Sequence, residues 1–281
     1  MVILNYIIML THKFKLSIFL ATILLCTSCQ NDGLDQDDLN QERPLSKEAT
    51  ATLDYLIEKG FSKEDLKPNF EDEAFMHGDM MIPFTLKSNK DANPPKEGSI
   101  QEKNRWFFGG VGVYYSNSRD VRYYVENNYP RNLEYALSWA AWHWSVSSRN
   151  INISRTYNRS SADILVGSWY NSNEGAWARA LLPDGRGNVG AWMRVNTAKP
   201  HPGDESTMAL LIHELGHNLG YHHSDQTYGG HIPGTNGVAY HQSNNCGSVM
   251  KSSIYTCNWR FSSTPGWSRD DRTAITWAYG N

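Results

Sequence analysis

The segment "HELGHNLGYHH", residues 213–223, constrains the fold more than any other, because it holds four of the chain's ten histidines. His213 and His217 are four residues apart, so on a helix both side chains lie on one face, with Cβ atoms about 5–6 Å apart. Glu214 lies between them and leaves the helix at a different angle. The segment therefore predicts a helix whose two imidazoles reach one metal ion, with a carboxylate beside them that is not a ligand.

A catalytic zinc ion requires a third protein ligand. No Glu follows Glu214 in the chain, so a downstream glutamate is excluded. Asp225 is close to the motif, but nothing in its spacing singles it out. His223 is favoured, because Gly220 can adopt a positive φ, end the helix and let the chain turn back toward the metal. The register HExxHxxGxxH predicts one zinc ion with His223 as its third ligand and Glu214 as the general base.

A second motif, "CGSVMKS" at residues 246–252, places Met250 in a Ser-x-Met turn. With it, the chain resembles the metzincin zinc proteases, which carry such a methionine turn beneath the metal. More narrowly, it resembles the bacterial dual-action HEIGH metallopeptidases. The resemblance covers roughly residues 119–281 and rests on "SADILVGSW", "MRVNT", "HELGHNLGYHHSD", "IPGT" and "GSVM".

The resemblance implies an α+β fold: a mixed twisted sheet, a zinc-bearing active-site helix and a loop-rich C-terminal subdomain. It also implies a zinc metalloendopeptidase with one catalytic Zn²⁺. One position departs from the pattern. Astacin-like and serralysin-like metzincins carry a Tyr two residues after the methionine, where this chain has Ser252. Tyr255 is nearby, and its role is left open.

The charge is distributed unevenly along the chain. Residues 30–102 contain 17 acidic and 8 basic residues, a net charge of −9, whereas residues 103–281 have a net charge of +4. The chain has no basic run, no zinc-finger cysteine pairs and no glycine-rich phosphate loop, which argues against nucleic acid as a partner.

The N-terminus has the pattern of an export signal. Two lysines precede an apolar run of about eleven residues, too short to span a membrane, and Cys29 follows small residues as the lipidated cysteine of a lipoprotein would. Residues 1–28 are therefore predicted to be a lipoprotein signal peptide and residues 29–46 an acidic tether. The protein is expected in the bacterial cell envelope, anchored by lipid at Cys29. Which side of the membrane it faces is left open.

The remaining cysteines, Cys246 and Cys257, are predicted to form a disulfide, as is usual in an exported chain. Two extra zinc ligands are the rival interpretation, but the short Cys-x-x-Cys spacing is absent.

Segment boundaries follow from composition and periodicity. Residues 47–87 are predicted to form a small module with a helix at 47–60 and a strand at 74–84. Residues 88–103 are predicted to be a linker, and residues 104–281 are predicted to be the zinc metallopeptidase domain. A core helix begins at Pro130, and a last helix starts at a capping box of Ser268 and Asp271.

These features predict a zinc-dependent endopeptidase, expected to be a monomer, that hydrolyses proteins outside the cell or in the envelope. A substrate would lie extended along an edge strand within "GAWARALLP", residues 175–183. The module at 47–87 either blocks the metal site, with His77 or Asp79 as the blocking group, or is a spacer. Two alternative functions are a zinc-containing surface binding lipoprotein without proteolytic activity and a metal-dependent amidase.

Overall fold

The computed structural model describes residues 43–86, 113, 115–201, 203–226, 228, 232, 234–236, 246–252 and 266–280. The chain from Leu45 onward forms one compact unit. Five helices are described: α1 Lys47–Glu58, α2 Tyr115–Ser118, α3 Glu134–Ser147, α4 Gly203–Asn218 and α5 Arg269–Tyr279. Short 3₁₀ turns occur at Lys63–Asp65, Arg131–Leu133 and Arg159–Ser161.

Eight strands form a single mixed sheet in the order β1-β2-β3-β7-β8-β6-β4-β5. They are β1 Lys67–Asn69, β2 Ala74–His77, β3 Met80–Pro83, β4 Val121–Val125, β5 Ile153–Arg155, β6 Ile164–Trp169, β7 Ala178–Leu181 and β8 Trp192–Asn196. Strand β7 runs antiparallel to β8, whereas β8, β6, β4 and β5 are mutually parallel. The predicted fold class is confirmed: the chain is α+β, with a mixed sheet and a helix, α4, that carries His213 and His217.

The N-terminal segment, residues 45–86, contributes three strands to this sheet. Its strand β3 pairs with β7 in parallel, with Met80 opposite Ala180 and Met81 opposite Leu181. The prediction of one strand over 74–84 is wrong. The segment folds as a hairpin of β2 and β3, because Gly78, with φ of 66°, and Asp79 form a two-residue turn between them.

The main core lies between the sheet and helices α3 and α4. The helix predicted after Pro130 is present, and its apolar face is buried: Leu133, Leu137, Ala140 and Trp144. The indole Nε1 of Trp144 donates a hydrogen bond of 2.9 Å to the Ile212 carbonyl oxygen on α4. His143 is also buried, as expected of a structural histidine. Helix α3 thus fixes the position of the helix that carries the histidines.

The last helix begins at the predicted capping box. The Ser268 hydroxyl accepts a hydrogen bond from the Asp271 backbone N–H, and the Asp271 carboxylate accepts one from the Ser268 N–H. The same carboxylate also accepts hydrogen bonds from the Ser248 hydroxyl, at 2.7 Å, and from the Val249 N–H, at 3.1 Å. Helix α5 therefore holds the turn that contains Met250.

Several predicted features lie outside the described residues. These are the signal peptide, Cys29 and most of the tether, the linker at 88–103, Tyr255 and Cys257. The Cys246–Cys257 disulfide accordingly stays a prediction. None of the described helices is long and apolar enough to cross a membrane.

The end of α4 is joined to the sheet through one buried amide. The Asn218 Nδ2 group lies 3.0 Å from the carbonyl oxygen of Leu181, 3.1 Å from that of Gly190 and 2.9 Å from that of Trp192. These contacts connect the histidine helix to β7 and to the start of β8.

We predict that Asn218→Ala lowers the free energy of unfolding by about 2 kcal/mol, because it leaves buried carbonyl groups without a donor. Asn128→Ala is the matched control, since its Nδ2 donates to one exposed carbonyl, that of Ser168. Its effect should stay within about 0.5 kcal/mol. Chemical denaturation of both variants measures the difference, and equal stability would contradict the anchoring role.

Candidate metal centre

The helix α4 ends so that the chain returns toward His213 and His217. Gly220 has a φ of 100°, and the Tyr221 N–H donates a 2.9 Å hydrogen bond to the carbonyl oxygen of Gly216. A residue with a side chain is strained at this φ, so glycine permits the reversal. The reversal carries His223 back to the face of the helix that presents the other two histidines.

Three imidazoles converge at this point, and all are buried. The ring centroids are 4.5 Å apart for His213 and His217, 5.2 Å for His213 and His223, and 5.0 Å for His217 and His223. His213 Nδ1 lies 2.8 Å from the Val249 carbonyl oxygen, and His217 Nδ1 lies 2.7 Å from that of Tyr221. Because a carbonyl oxygen only accepts, both Nδ1 atoms carry the proton, and both Nε2 atoms are left to bind a metal.

A fourth group reaches the same point from the turn between β2 and β3. Asp79 carboxylate oxygens lie 2.9 Å from His223 Nε2, 3.4 Å from His213 Nε2 and 3.6 Å from His217 Nε2. Each of the four residues offers one ligand atom, and these atoms lie within 4.8 Å of one another. The cluster can hold a metal ion, and its three imidazoles and one carboxylate are ligands that suit zinc.

The hairpin turn is itself fixed by the sheet. The Ala180 N–H on β7 donates a hydrogen bond of 3.3 Å to the backbone carbonyl oxygen of Asp79, and the Leu182 N–H donates one of 2.8 Å to Met81. His77, the other candidate from the sequence, is not in the cluster. Its Nδ1 lies 3.2 Å from the Tyr228 hydroxyl.

Glu214 is fully buried, and neither carboxylate oxygen has a hydrogen-bond partner within the described part of the chain. Burial, and then the nearby Asp79 carboxylate, raise the pKa of Glu214 well above its usual value, while Arg179 on β7 opposes the shift. Arg179 is itself paired with Glu174. A buried carboxylate without a partner is costly to stability, which marks Glu214 as a functional group and not a structural one.

The electrostatic environment divides the cluster into two kinds of group. Burial, followed by the charge of His213, lowers the pKa of His217 to about 4, so that its imidazole is neutral, as a metal ligand must be. Burial alone would raise the pKa of Asp79, but the charge of His223 and the contacts with the imidazoles hold it well below its usual range. Asp79 is therefore the anionic member of the cluster.

Met250 lies beneath the histidine helix. A Cβ atom at Gly216 would overlap the Met250 Sδ atom and would lie 3.2 Å from the Trp144 ring. A side chain at Gly216 would force the Met250 side chain to move, so glycine at the centre of the motif permits the close approach of Met250. This turn also supplies the Val249 carbonyl oxygen that orients His213, so its packing and the orientation of the imidazole are coupled.

Asp225, the alternative third ligand, has another role. Its carboxylate accepts hydrogen bonds from the Ser252 N–H, at 3.0 Å, and from the Ser252 hydroxyl, at 2.7 Å. It therefore joins the loop after His223 to the methionine turn. The Ser224 N–H adds a 2.9 Å hydrogen bond to the Met250 carbonyl oxygen. Ser252 thus contributes to the frame of the site.

Three imidazoles that converge beside a buried glutamate form the arrangement of a metallopeptidase site. The structure brings together the three histidines that the motif singles out, and it places Asp79, one of the two candidate blocking groups, against them. The sequence did not predict that Asn218 joins α4 to the sheet, or that Gly216 makes room for Met250. It also did not predict the hydrogen bonds by which Asp225 and Asp271 hold the methionine turn. No local pattern marks these contacts, because each joins positions more than 20 residues apart.

No protein-family model and no curated protein matches the chain. Two structures of myroilysin align with TM-scores of 0.39 and 0.37, both at 18% identity, and cover 60% and 66% of this chain and 98% of the myroilysin chain. High choriolytic enzyme 1, a hatching enzyme zinc-protease from Oryzias latipes (medaka), aligns with a TM-score of 0.37 at 17% identity, over 57% of this chain and 88% of its own. The metal centre is therefore assigned from the residues of this chain.

We predict that the purified chain binds about one equivalent of zinc and that His223→Ala loses most of it to a competing chelator, because a ligand is removed. Glu214→Gln should retain the metal, since its carboxylate is not among the clustered ligand atoms. His201→Ala is the control, because this half-buried imidazole packs against Trp177 away from the cluster. Metal analysis after dialysis measures all four proteins. Full retention by His223→Ala would contradict the third-ligand assignment.

Proposed function

We propose that the chain is a metzincin-type zinc endopeptidase, folded here with its own N-terminal segment over the active site. The observation that carries the proposal is the convergence of three imidazoles beside Glu214, a buried carboxylate without a partner among the described residues. The narrower resemblance to the dual-action HEIGH metallopeptidases is part of the same proposal and rests on the sequence motifs alone.

His213, His217 and His223 would hold the zinc ion. When bound there, zinc acidifies water and polarises the carbonyl group of the bond to be cleaved. Glu214 is placed to accept a proton from the attacking water and to pass it to the leaving amine. Burial and the Asp79 carboxylate keep Glu214 from this role in the form described, since both favour its protonated state.

The substrate is proposed to bind along β7, as an added strand. Without residues 45–86, β7 would be the edge of the sheet, because its other neighbour is β8. In the structure that edge is covered by β3, whose backbone takes the hydrogen bonds of Ala180 and Leu182. A substrate strand and β3 would therefore compete for the same backbone groups.

The N-terminal segment is proposed to act as an inhibitor and not as a spacer alone. A spacer does not require Asp79 to contact all three imidazoles, nor β3 to cover β7. A further contact across the sheet is the pair of Asp72 with Arg194 on β8, at 2.8 Å. The pair is only partly buried and adds modest stability, so it serves mainly to fix the register. Cleavage in the linker at 88–103 would release the segment.

A surface binding protein with a structural zinc ion has no use for Glu214, whose burial without a partner lowers stability. A metal-dependent amidase would share the site but not require an extended strand along β7. Casein and gelatin as substrates distinguish the three functions, because only an endopeptidase digests both.

We predict that cleavage of the linker activates the folded, zinc-loaded chain. A recognition sequence for a site-specific protease, placed within 88–103, allows the same preparation to be assayed on casein before and after the cut. Strand pairing, the Asp79 contact and aromatic packing hold the segment over the active site, at about 1 kcal/mol each. If the cut releases the segment, the loss of all three corresponds to roughly a hundredfold rise in activity. Glu214→Gln, cut in the same way, should stay inactive, which excludes a contaminating protease.

The contribution of Asp79 to this activation can be isolated without cutting the chain. Asp79→Asn removes the charge but keeps the turn, and it should raise the activity of the uncut chain about tenfold. Glu71→Gln, an exposed carboxylate of the same segment, should change nothing. If the uncut and cut chains digest casein at equal rates, the segment is a spacer. If neither digests it while zinc is bound, the protease assignment is wrong.

Export and lipid anchoring are proposed on the basis of the N-terminal sequence, with substrates in the envelope or outside the cell. We predict that Cys29→Ser moves the protein from the membrane fraction to the soluble fraction, since a lipidated cysteine is the proposed anchor. Fractionation of cells that express each form is the measurement. The lipoprotein assignment fails if the two forms partition alike.

A further inference from the structure

The N-terminal segment has a hydrophobic core of its own, distinct from the main core. Of the buried residues in this cluster, only Leu182 and Tyr228 come from the part of the chain after the linker. The other members belong to the segment itself: Ala49, Leu56, Phe61, Leu66, Phe75, Met80, Ile82, Phe84 and Leu86. Among the described residues, Leu182 and Tyr228 therefore carry the buried apolar contact between this cluster and the catalytic part.

Tyr228 forms the centre of this contact. Its ring stacks on the Phe61 ring, with centroids 4.1 Å apart and an interplanar angle of 26°. The His77 ring meets it edge-on at 4.7 Å, and His222 stacks with it at 5.7 Å. Phe61 and His77 belong to the segment, whereas His222 is the neighbour of the third histidine. Tyr228 thus lies beside the metal cluster, with one face turned toward the segment.

Leu182 connects this aromatic site to the groove for a substrate. It directly follows β7, and its N–H donates to Met81 on the strand that covers the β7 edge. A chain bound along β7 would therefore pass the apolar site formed by Leu182 and Tyr228. Phe61, which is 3% exposed, fills that site in the structure. Its ring occupies the place that a side chain of another bound chain would take.

We propose that Leu182 and Tyr228 form a substrate subsite that selects an aromatic side chain, and that Phe61 occupies it in the form described here. The inference rests on the proposed function, since it assigns a specificity to that same site. The Phe61 and Tyr228 rings are stacked with centroids 4.1 Å apart, and an aromatic pair contributes attraction beyond the burial of its area. A charged side chain would lose its water there, which is unfavourable without a buried partner.

The test uses the full chain, cut in the linker, and a series of peptides in which one Phe is moved along a sequence of Ala, Gly and Ser. Matched peptides carry Leu, Ala, Asp or Arg in place of Phe. Cleavage is expected at a constant distance from Phe, with kcat/KM on the order of tenfold or more above the Ala peptide. A segment that stays bound after the cut lowers the affinity for every peptide by the same factor, so the ratios between peptides are unaffected.

Binding is measured separately in the Glu214→Gln form, by competition with a fluorescent peptide. This readout separates the two hypotheses: absence of cleavage by the parent chain overturns the protease assignment, whereas the binding ratio of Phe to Ala peptides reports on the subsite alone. Tyr228→Ala should abolish the Phe preference, and Tyr228→Leu tests the same point if the alanine variant does not fold. Tyr228→Phe should retain the preference.

Three results would overturn the proposal. Equal affinities for the Phe and Ala peptides mean that no aromatic subsite exists. A preference for the Arg or Asp peptide means that the site recognises a charged side chain and not an aromatic one. A Tyr228→Phe variant that loses the preference for Phe peptides assigns recognition to the hydroxyl and not to the ring.

Discussion

The contact between Asp79 and three imidazoles is the interaction on which the arrangement of this chain depends. Buried charges are costly unless they are paired and hydrogen-bonded. Here His223 lies 2.9 Å from the carboxylate, and burial alone would lower the pKa of this imidazole, whereas the Asp79 charge raises it. The turn of the hairpin must therefore reach the histidines, and the pairing of β3 with β7 follows from the same placement.

The scaffold around the cluster explains why the histidine motif contains glycines. Gly220 ends the helix with a positive φ, and Gly216 leaves room for Met250. Asp225 and Asp271 then hold the methionine turn from two sides, through Ser252 and through Ser248 and Val249. The Val249 carbonyl oxygen in this turn accepts from His213, and the Tyr221 carbonyl oxygen accepts from His217, so backbone groups orient these two imidazoles. Preorganisation of this kind is what a catalytic metal site requires.

The features that could be predicted from the sequence depend on short-range geometry. The facing of His213 and His217, the turn at Gly220 and the capping box of Ser268 and Asp271 each involve residues within a few positions of one another. The hairpin at Gly78 was missed because residues 74–84 are predicted as one strand. The pair Gly78-Asp79 between two short runs is a sequence signal for a two-residue hairpin turn, and it could have indicated the break.

The position of β3 could not be predicted, because it depends on a pairing between residues about 100 positions apart. The sequence left open whether the N-terminal segment blocks the metal site or is a spacer, and its charge sets neither register nor partner strand. Asp79 was one of two candidates, and only the three-dimensional placement distinguishes it from His77. The sequence likewise contains no sign that Phe61 and Tyr228 meet, since neither belongs to a periodic pattern that points to the other.

The way the segment is held also explains how a cut in the linker could release it. Its described contacts with the catalytic part are separately modest: two register pairs along β7, one carboxylate in the cluster, one partly buried ion pair, and the aromatic contacts of Tyr228 with Phe61 and His77. While the linker is intact, these groups act intramolecularly, at an effective concentration in the millimolar range for a short connection. Cleavage removes that advantage. A modest interface is then diluted to the concentration of the protein itself, and a substrate strand can displace it from β7. An inhibitor held by many strong contacts would survive the cut, so the weakness of each contact is a requirement of this form of control.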